Sequence, residues 1–351
     1  MSEVPPPDDR RSRLLGVKLR ALVGEHLGRE PVDPADVGTF PSGAALVVDG
    51  AGWVLVEGNA SRSLGGALAW ALRQGATALN VVAESDTGLL ARRAAHLTFP
   101  VSIWFAQDRT LLAAVPEPLA DSSPPSDDHL ALVEVIAAAG ATPNIEHGVV
   151  FGEVYGLEVC RVVDEPTVGH IAELGELDVA AIAAAQGREH DGVLLEVGVG
   201  ATDREAFRLL HGEIPTVEAL ASVVVAVATY RSPDAPQHPL NRLGQERYLR
   251  WRLEQDPGLI DMRHVAPAAP PVPRPNLKDP IPCLATATDH DGREHTIVCS
   301  VGVDLDLVGF VADVHELDER PVTVVLRERD RIPITEELLG LLARPVTVRT
   351  I

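Results

Sequence analysis

Glu196, Gly198 and Gly200 stand in "VLLEVGVGATD", Val193 to Asp203, where an apolar strand runs toward a helix. Spaced glycines let a backbone approach a ligand closely, and an acid ending a second strand roughly 20 residues on would take a ribose hydroxyl. A second grouping places Glu57 and Asn59 at the end of "WVLVEGN", with Asp49 upstream. Carboxylates so placed can bind Mg²⁺ and help activate a water. A third lies between Tyr230 and Arg252, where five arginines accompany Tyr230, Tyr248 and Trp251. Arg247, Arg250 and Trp251 fall within one helical turn, a combination that holds phosphates, stacks on bases or anchors a protein interface. His147 beside Glu146, His170, and His190 beside Asp191 lack H-x-x-x-H or H-E-x-x-H spacing, so a metal site would need three loops to converge and none is expected. There is no G-x-S-x-G elbow and no G-x-x-x-x-G-K-[ST] loop.

Composition narrows these options. The chain has 351 residues, 46% hydrophobic and 23% charged, enough for two or three domains with real cores. A formal net charge of −21 opposes nucleic-acid binding except through a local patch. Only Lys18 and Lys278 are lysines, so chemistry needing an ammonium or a neutral amine has two candidates. Cys160, Cys283 and Cys299 form no C-x-x-C and read as buried thiols, although Cys283 and Cys299 could face each other across a hairpin. No apolar run reaches the length of a bilayer span, so the expectation is a cytoplasmic protein with no membrane partner.

The elements that must position these residues follow from periodicity. Residues 1–13 read as a frayed tail, and Leu14, Val17, Leu19, Leu22 and Val23 as one face of a helix. "AALVVDGAGWVLVEGN" is a hairpin around Asp49-Gly50, because both residues tolerate the positive φ of a tight turn. Helix, strand, helix and strand follow to Phe105. "CLATATDHDGREHTIVCSVG" repeats the hairpin signal around Asp291-Gly292, and strand, helix and strand follow it to the last residue. This replay suggests duplication of one α/β unit. The organisation expected is an N-terminal α/β unit at 14–115, an α+β middle at 128–260 and a C-terminal α/β unit at 282–351. Linkers would fill 116–127 and 261–281, the latter with seven prolines between Ala266 and Pro282 that favour an extended spacer.

Two resemblances bear on function. The 193–203 stretch resembles the first motif of class I methyltransferases, which implies S-adenosylmethionine held near Glu196, Gly198 and Gly200. Thr202 stands where a glycine is usual, and "TVEALASVVVAVATY" reads as helix where a second strand belongs. The alternative is a plain strand-to-helix turn with Thr202 or Asp203 capping. The N-terminal unit is similar to the core of PD-(D/E)XK nucleases, including RecB-like domains, which implies Mg²⁺ at Glu57 and an Asp partner, with a lysine at the place of Asn59. Asn59 carries no charge, and Asp49 reads as a turn residue about 13 Å along the strand from Glu57.

The resulting expectation is a multidomain α/β protein with two degenerate nuclease-like units around an α+β middle. Its function would be non-catalytic binding or scaffolding with a protein partner and no cofactor. A metal-dependent nuclease and then a methyltransferase are the alternatives. The helix carrying Arg247, Arg250 and Trp251 is the candidate interface.

Overall fold

The computed structural model describes residues 7–29, 37–41, 43–164, 192–200, 203–204, 216–273 and 281–351. The protein is α/β and multidomain, and it forms two compact units: Met1–Ala120 with Arg293–Ile351, and Asp121–Gly292. The N- and C-terminal segments, which the sequence sets out as separate units, thus share the first.

The first unit opens with helix α1, Pro7–Leu27, so helix begins within the stretch read as a tail. A proline is tolerated in a first turn because its missing N–H has no intrahelical partner there. The buried stripe is Leu15, Leu19, Leu22 and Val23. Leu14 and Val17, expected on that face, are 61% and 54% exposed. The stripe runs at i, i+4, i+7 and i+8, and Leu14 and Val17 fall outside it.

Six strands follow: β1 (Val37–Phe40), β2 (Gly43–Val48), β3 (Ala51–Val56), β4 (Ala78–Ala83), β5 (Val101–Gln107) and β6 (Thr110–Ala113). They lie side by side in chain order. β3, β4 and β5 are parallel, joined through helices α2 (Leu64–Arg73) and α3 (Thr87–Ala94), and the remaining neighbours are antiparallel. Asp49 and Gly50 take φ of 52° and 77°, the mirror-image turn expected between β2 and β3. α1 packs against β2 and β3, where Leu19 and Leu22 meet Leu46, Trp53 and Leu55.

The second unit begins within a stretch, 114–126, that has no regular structure. Helices α4 (Asp127–Ala131) and α5 (Val133–Ala138) lead into a four-stranded antiparallel meander. Its strands are β7 (Thr142–Glu146), β8 (Val149–Val154), β9 (Leu157–Asp164) and β10 (Val193–Val197). His147-Gly148 and Tyr155-Gly156 make its hairpin turns at positive φ. One sheet face carries Val150, Val162, Leu195 and Val197 and is packed with Ile136 of α5 and with Leu220 and Val227 of helix α6 (Thr216–Arg231). Helix α7 is Gln245–Gln255. The proline-rich segment expected as spacer begins as strand β11, His264–Ala268, antiparallel to β12, Cys283–Thr288. Pro267 is accommodated because β11 is an edge strand, where a missing N–H costs no ladder bond.

The chain re-enters the first unit after the Asp291-Gly292 turn. β13 (Glu294–Cys299), β14 (Val322–Leu326) and β15 (Thr347–Thr350) are parallel, linked by helices α8 (Leu307–Leu317) and α9 (Pro333–Leu339). The helices of the two ends pack on each other: α8 on α2 and α3, and α9 on α2. Leu97 and Leu342 form an antiparallel bridge, with Thr98 N donating to Leu341 O at 2.7 Å and Ala343 N to His96 O at 2.8 Å. Arg92 and Arg93 of α3 both reach Asp313 of α8, which is fully buried. All three cysteines are buried and free. Among the described residues, no helix is long and apolar enough to cross a membrane.

Candidate functional site

Glu57 and Asp49 lie at opposite ends of the first hairpin. The register pairs Val48 with Ala51 and Gly43 with Val56, so the two acids are seven residues apart along the strands. That is about 23 Å, more than the 13 Å expected from the sequence, and far beyond a shared ion. Arg11 Nε donates to Glu57 Oε2 at 2.7 Å, and Arg29 Nη2 to Asp49 Oδ2 at 2.7 Å. Asn59 accepts from Ser61 Oγ at 2.9 Å in the short turn before α2. Each residue of the nuclease-like motif is engaged in a local contact. Among the described residues, no group of three His, Cys, Asp or Glu side chains could hold a metal. His147 is a hairpin-turn residue, whereas His170, His190 and Asp191 lie outside the described residues.

The glycine turn at Gly198 and Gly200 is filled by its own chain. A Cβ on Gly198 would meet Asp203 Cβ at 2.9 Å and Arg204 N at 3.0 Å, so the glycine makes room for the next turn of backbone. Arg204 N donates to Gly200 O at 3.2 Å. Glu196 is buried and faces Arg204 Nε at 3.5 Å. β10 is an edge strand paired antiparallel to β9, while dinucleotide-type turns leave a strand flanked by parallel neighbours. Thr202, the alternative capping residue, lies outside the described residues.

The candidate interface helix α7 turns its arginines inward. Arg247 and Arg250 are 2% and 1% exposed, among the largest fully buried side chains of the protein. They close the polar face of the four-stranded sheet. Glu146 of β7, Glu153 of β8, Glu158 of β9 and Glu196 of β10 share that face by register. A bulge at Gly152/Glu153 makes this possible, bringing Glu153 opposite Glu158. Arg247 contacts Glu146, Glu153 and Glu158, and Arg250 contacts Glu146, Glu153 and Glu254. Arg161 grips Glu158 through two bonds of 2.9 and 3.1 Å, and Arg204 adds a third at 3.1 Å. Asn144 Nδ2 donates to Glu153 Oε2 at 2.9 Å. Arg247 also lies over the Phe151 ring at 4.7 Å.

Burial is the largest influence on these groups, and charge decides its outcome. Burial would raise the Glu158 carboxyl, but the hydrogen bond from Arg161 and the charges of Arg161, Arg247 and Arg204 hold it below its ordinary value. Burial likewise works against charged Arg247 and Arg250, and the facing glutamates more than reverse it. Glu254 goes the other way: burial raises it and Arg250 only partly compensates. Arg231, missed by the sequence reading, is buried and donates to the carbonyls of Tyr155, Leu240 and Gly244, and burial lowers it to about 10. Burial pushes the Cys160 thiol up to about 12, which keeps it protonated and unreactive.

Trp251 packs edge-on against Tyr155 at 4.7 Å and tilted against Tyr248 at 5.6 Å, so its ring is half-buried within its own unit. Gly156, at the hairpin beside it, has no room for a side chain, since a Cβ would lie 2.4 Å from the Arg247 backbone. Beside the charged face opens a cleft of about 290 Å³ between edge strands β7 and β11, with Pro143, Asn144, Ile145 and Glu146 on one side and Pro267 and Ala268 on the other. No protein-family model, curated protein or solved structure matches the chain.

Proposed function

We propose that this chain is a non-catalytic binding protein with a protein partner, built in part on two degenerate copies of one nuclease-like α/β module. A single observation carries the reading: the acids and arginines that could have formed a reaction centre are consumed by one another, Glu57 by Arg11, Glu196 by Arg204, and Glu146 and Glu153 by Arg247 and Arg250. A general base or metal ligand must be able to meet substrate or ion. These carboxylates meet guanidiniums instead.

Support for duplication comes from the bridge between the two ends. Leu97-x-x-Pro100-Val101-Ser102-Ile103 and Leu342-x-x-Pro345-Val346-Thr347-Val348 share one pattern. Leu97 and Leu342 hold the same place in it, and they pair with each other. The flanking hydrogen bonds, Thr98 to Leu341 and Ala343 to His96, are images of one another under exchange of the two ends. The helix contacts obey the same exchange, since α3 on α8 corresponds to α9 on α2. A residue meeting its own counterpart is the mark of two-fold association. On this reading the first unit is a fused pseudo-dimer, a scaffold with the second unit carried between its halves in the sequence.

The test is direct. Purified protein incubated with DNA or RNA and Mg²⁺ or Mn²⁺ should cleave neither, and calorimetry should detect no saturable binding of S-adenosylmethionine. Metal-dependent cleavage abolished by Glu57→Ala, or cofactor binding abolished by Gly200→Val, would overturn the proposal.

A further inference from the structure

β5 and β15 are counterparts in the two ends of the chain, and they differ in what lies beside them. The shared pattern matches Ile103 with Val348, and so Trp104 with Arg349 and Phe105 with Thr350. β5 has β4 on one side and β6 on the other, whereas β15 pairs with β14 alone and is an edge strand. At β5 the outer groups are used: Phe105 stands opposite Leu112 of β6, and Ala114 N donates to Ile103 O at 2.9 Å.

The register shows which groups β15 leaves open. Alternate residues of a strand turn their N–H and C=O toward the same neighbour. Ile351 N donates to Leu326 O at 3.0 Å, so Thr347 and Arg349 also bond toward β14. The N–H and C=O of Val348 and Thr350 therefore point out from the edge, as those of Ile103 and Phe105 point toward β6. Among the described residues, the backbone of Val348 and Thr350 makes no hydrogen bond in that direction. Pro143 and Pro267 blunt the edges of β7 and β11, but β15 has neither a proline nor a bulge in its pairing.

Arg349 gives the added strand its chemistry. Its side chain is exposed and, among the described residues, has no ion-pair partner. Its counterpart Trp104 stands opposite Ala113, between two hydrogen-bonded pairs, where side chains across the strands come closest. A carboxylate at the place of Ala113 would meet Arg349 directly, and opposite charges so placed favour pairing. A second copy of the chain fits less well. Pairing β15 with itself through both Val348 and Thr350 sets Arg349 opposite Arg349, and like charges oppose it.

We propose that the open edge of β15 receives an extended aliphatic segment of the partner protein, antiparallel and with a carboxylate opposite Arg349; the proposal rests on the binding reading above and gives it a site and a chemistry. The probe is the end-blocked peptide Thr-Leu-Leu-Glu-Ala-Val, the 110–115 stretch with glutamate at the place of Ala113. Titrated into the full chain, it should give saturable NMR shifts at the amides of Val348 and Thr350. The same peptide with lysine for glutamate should bind about fivefold more weakly, and Arg349→Glu should reverse that preference. Thr350→Pro removes an outward N–H and no bond to β14, so it should abolish the shifts in a protein with an unaltered melting curve. Where that variant melts lower, the reversal in Arg349→Glu decides alone. No shift at about 10 mM peptide, equal binding of the two peptides, or an unchanged preference in Arg349→Glu would overturn the proposal. Shifts at these amides that follow protein concentration without peptide would assign the edge to a second copy and overturn it as well. Such a failure removes the edge and leaves the binding reading standing, whereas metal-dependent cleavage removes the binding reading itself.

Discussion

Arg11 with Glu57 and Arg250 with Glu153 are the same two residue types in contact, in different units of the protein. The first pair has side chains 71% and 41% exposed, and the second 1% and 4%. Water separates their meanings. In the exposed pair, solvent screens the attraction and would solvate either partner left alone. In the buried pair, desolvation has already been incurred for both charges, and loss of one leaves the other stranded. The interior pairs thus lock a geometry more than they add net stability, holding α7 on the sheet face through Arg247 and Arg250.

The largest expected effect follows from breaking the buried side of this comparison. Arg250→Ala should cost about 3–5 kcal/mol, because Glu153 and Glu254 are left without their main partner. Trp251 is the sole tryptophan of Asp121–Gly292, so its fluorescence in a denaturant titration reports the loss in the second unit. A loss below about 1 kcal/mol would show that the face admits water and that the contrast with Arg11 and Glu57 is false.

Leu19→Ala supplies an uncharged standard for the first unit. The side chain is fully buried among Leu46, Trp53 and Leu55, and its truncation should cost about 2–4 kcal/mol in chemical denaturation. A value near zero would return the α1 stripe to the face that includes Leu14 and Val17.

A pH experiment separates burial from pairing within the first unit. Asp306 accepts from Gly65 N at 3.0 Å, and burial, opposed by that bond, lifts its pKa from 3.8 to about 6. A raised carboxyl stabilises the fold fully below 3.8, and the contribution is lost as pH rises through about 6. Asp306→Asn keeps an acceptor for Gly65 and removes the charge, so its stability relative to the parent should improve on going from pH 4 to pH 7.5, by about 1 kcal/mol. His315 has the opposite sign: burial, Arg344 and His96 lower it to about 4, so its contribution is present above 6.5 and falls away as pH drops through about 4. An unchanged pH profile in Asp306→Asn would mean that Asp306 is solvated in the folded protein.

Elements with a clear period or turn chemistry were legible from the residues. The Asp49-Gly50 hairpin, α2, β4, α3 and β5 follow the alternation and glycine signals closely, as do α6 and α7. What failed to show was the direction of α7. "QERYLRWRLEQ" reads as a solvated helix because arginine and glutamate are rarely buried, and only the facing carboxylates reverse that rule. A signal was present: Glu146, Glu153 and Glu158 sit inside apolar strands, where unpaired acids are costly. The bulge at Gly152/Glu153, which brings two of them onto one face, has no local signature beyond a glycine that serves many purposes. β11 was hidden by Pro267 and the prolines that follow it, which suit an edge strand as well as a spacer. α8 was passed over between the hairpin and β14, although its apolar sequence is buried along nearly its whole length.

The smallest expected effect lies at the residue that first looked most functional. Glu57→Ala removes a carboxylate paired with Arg11 on α1, and with side chains 41% and 71% exposed the loss costs little. The change in unfolding free energy should be no more than about 1 kcal/mol, and it should shrink further in about 0.5 M salt, where exposed charges are screened. A metal ligand would behave differently: Mg²⁺ would raise the melting temperature of the parent, by linkage of binding to folding, and Glu57→Ala would erase that rise. Melting curves with and without about 10 mM Mg²⁺ therefore distinguish a surface ion pair from a degenerate site that still binds its ion. The register argues for the former, because Asp49 is occupied with Arg29 at the other end of the hairpin, and Glu84, the acid that the parallel register brings beside Glu57 just past β4, is paired with Lys18.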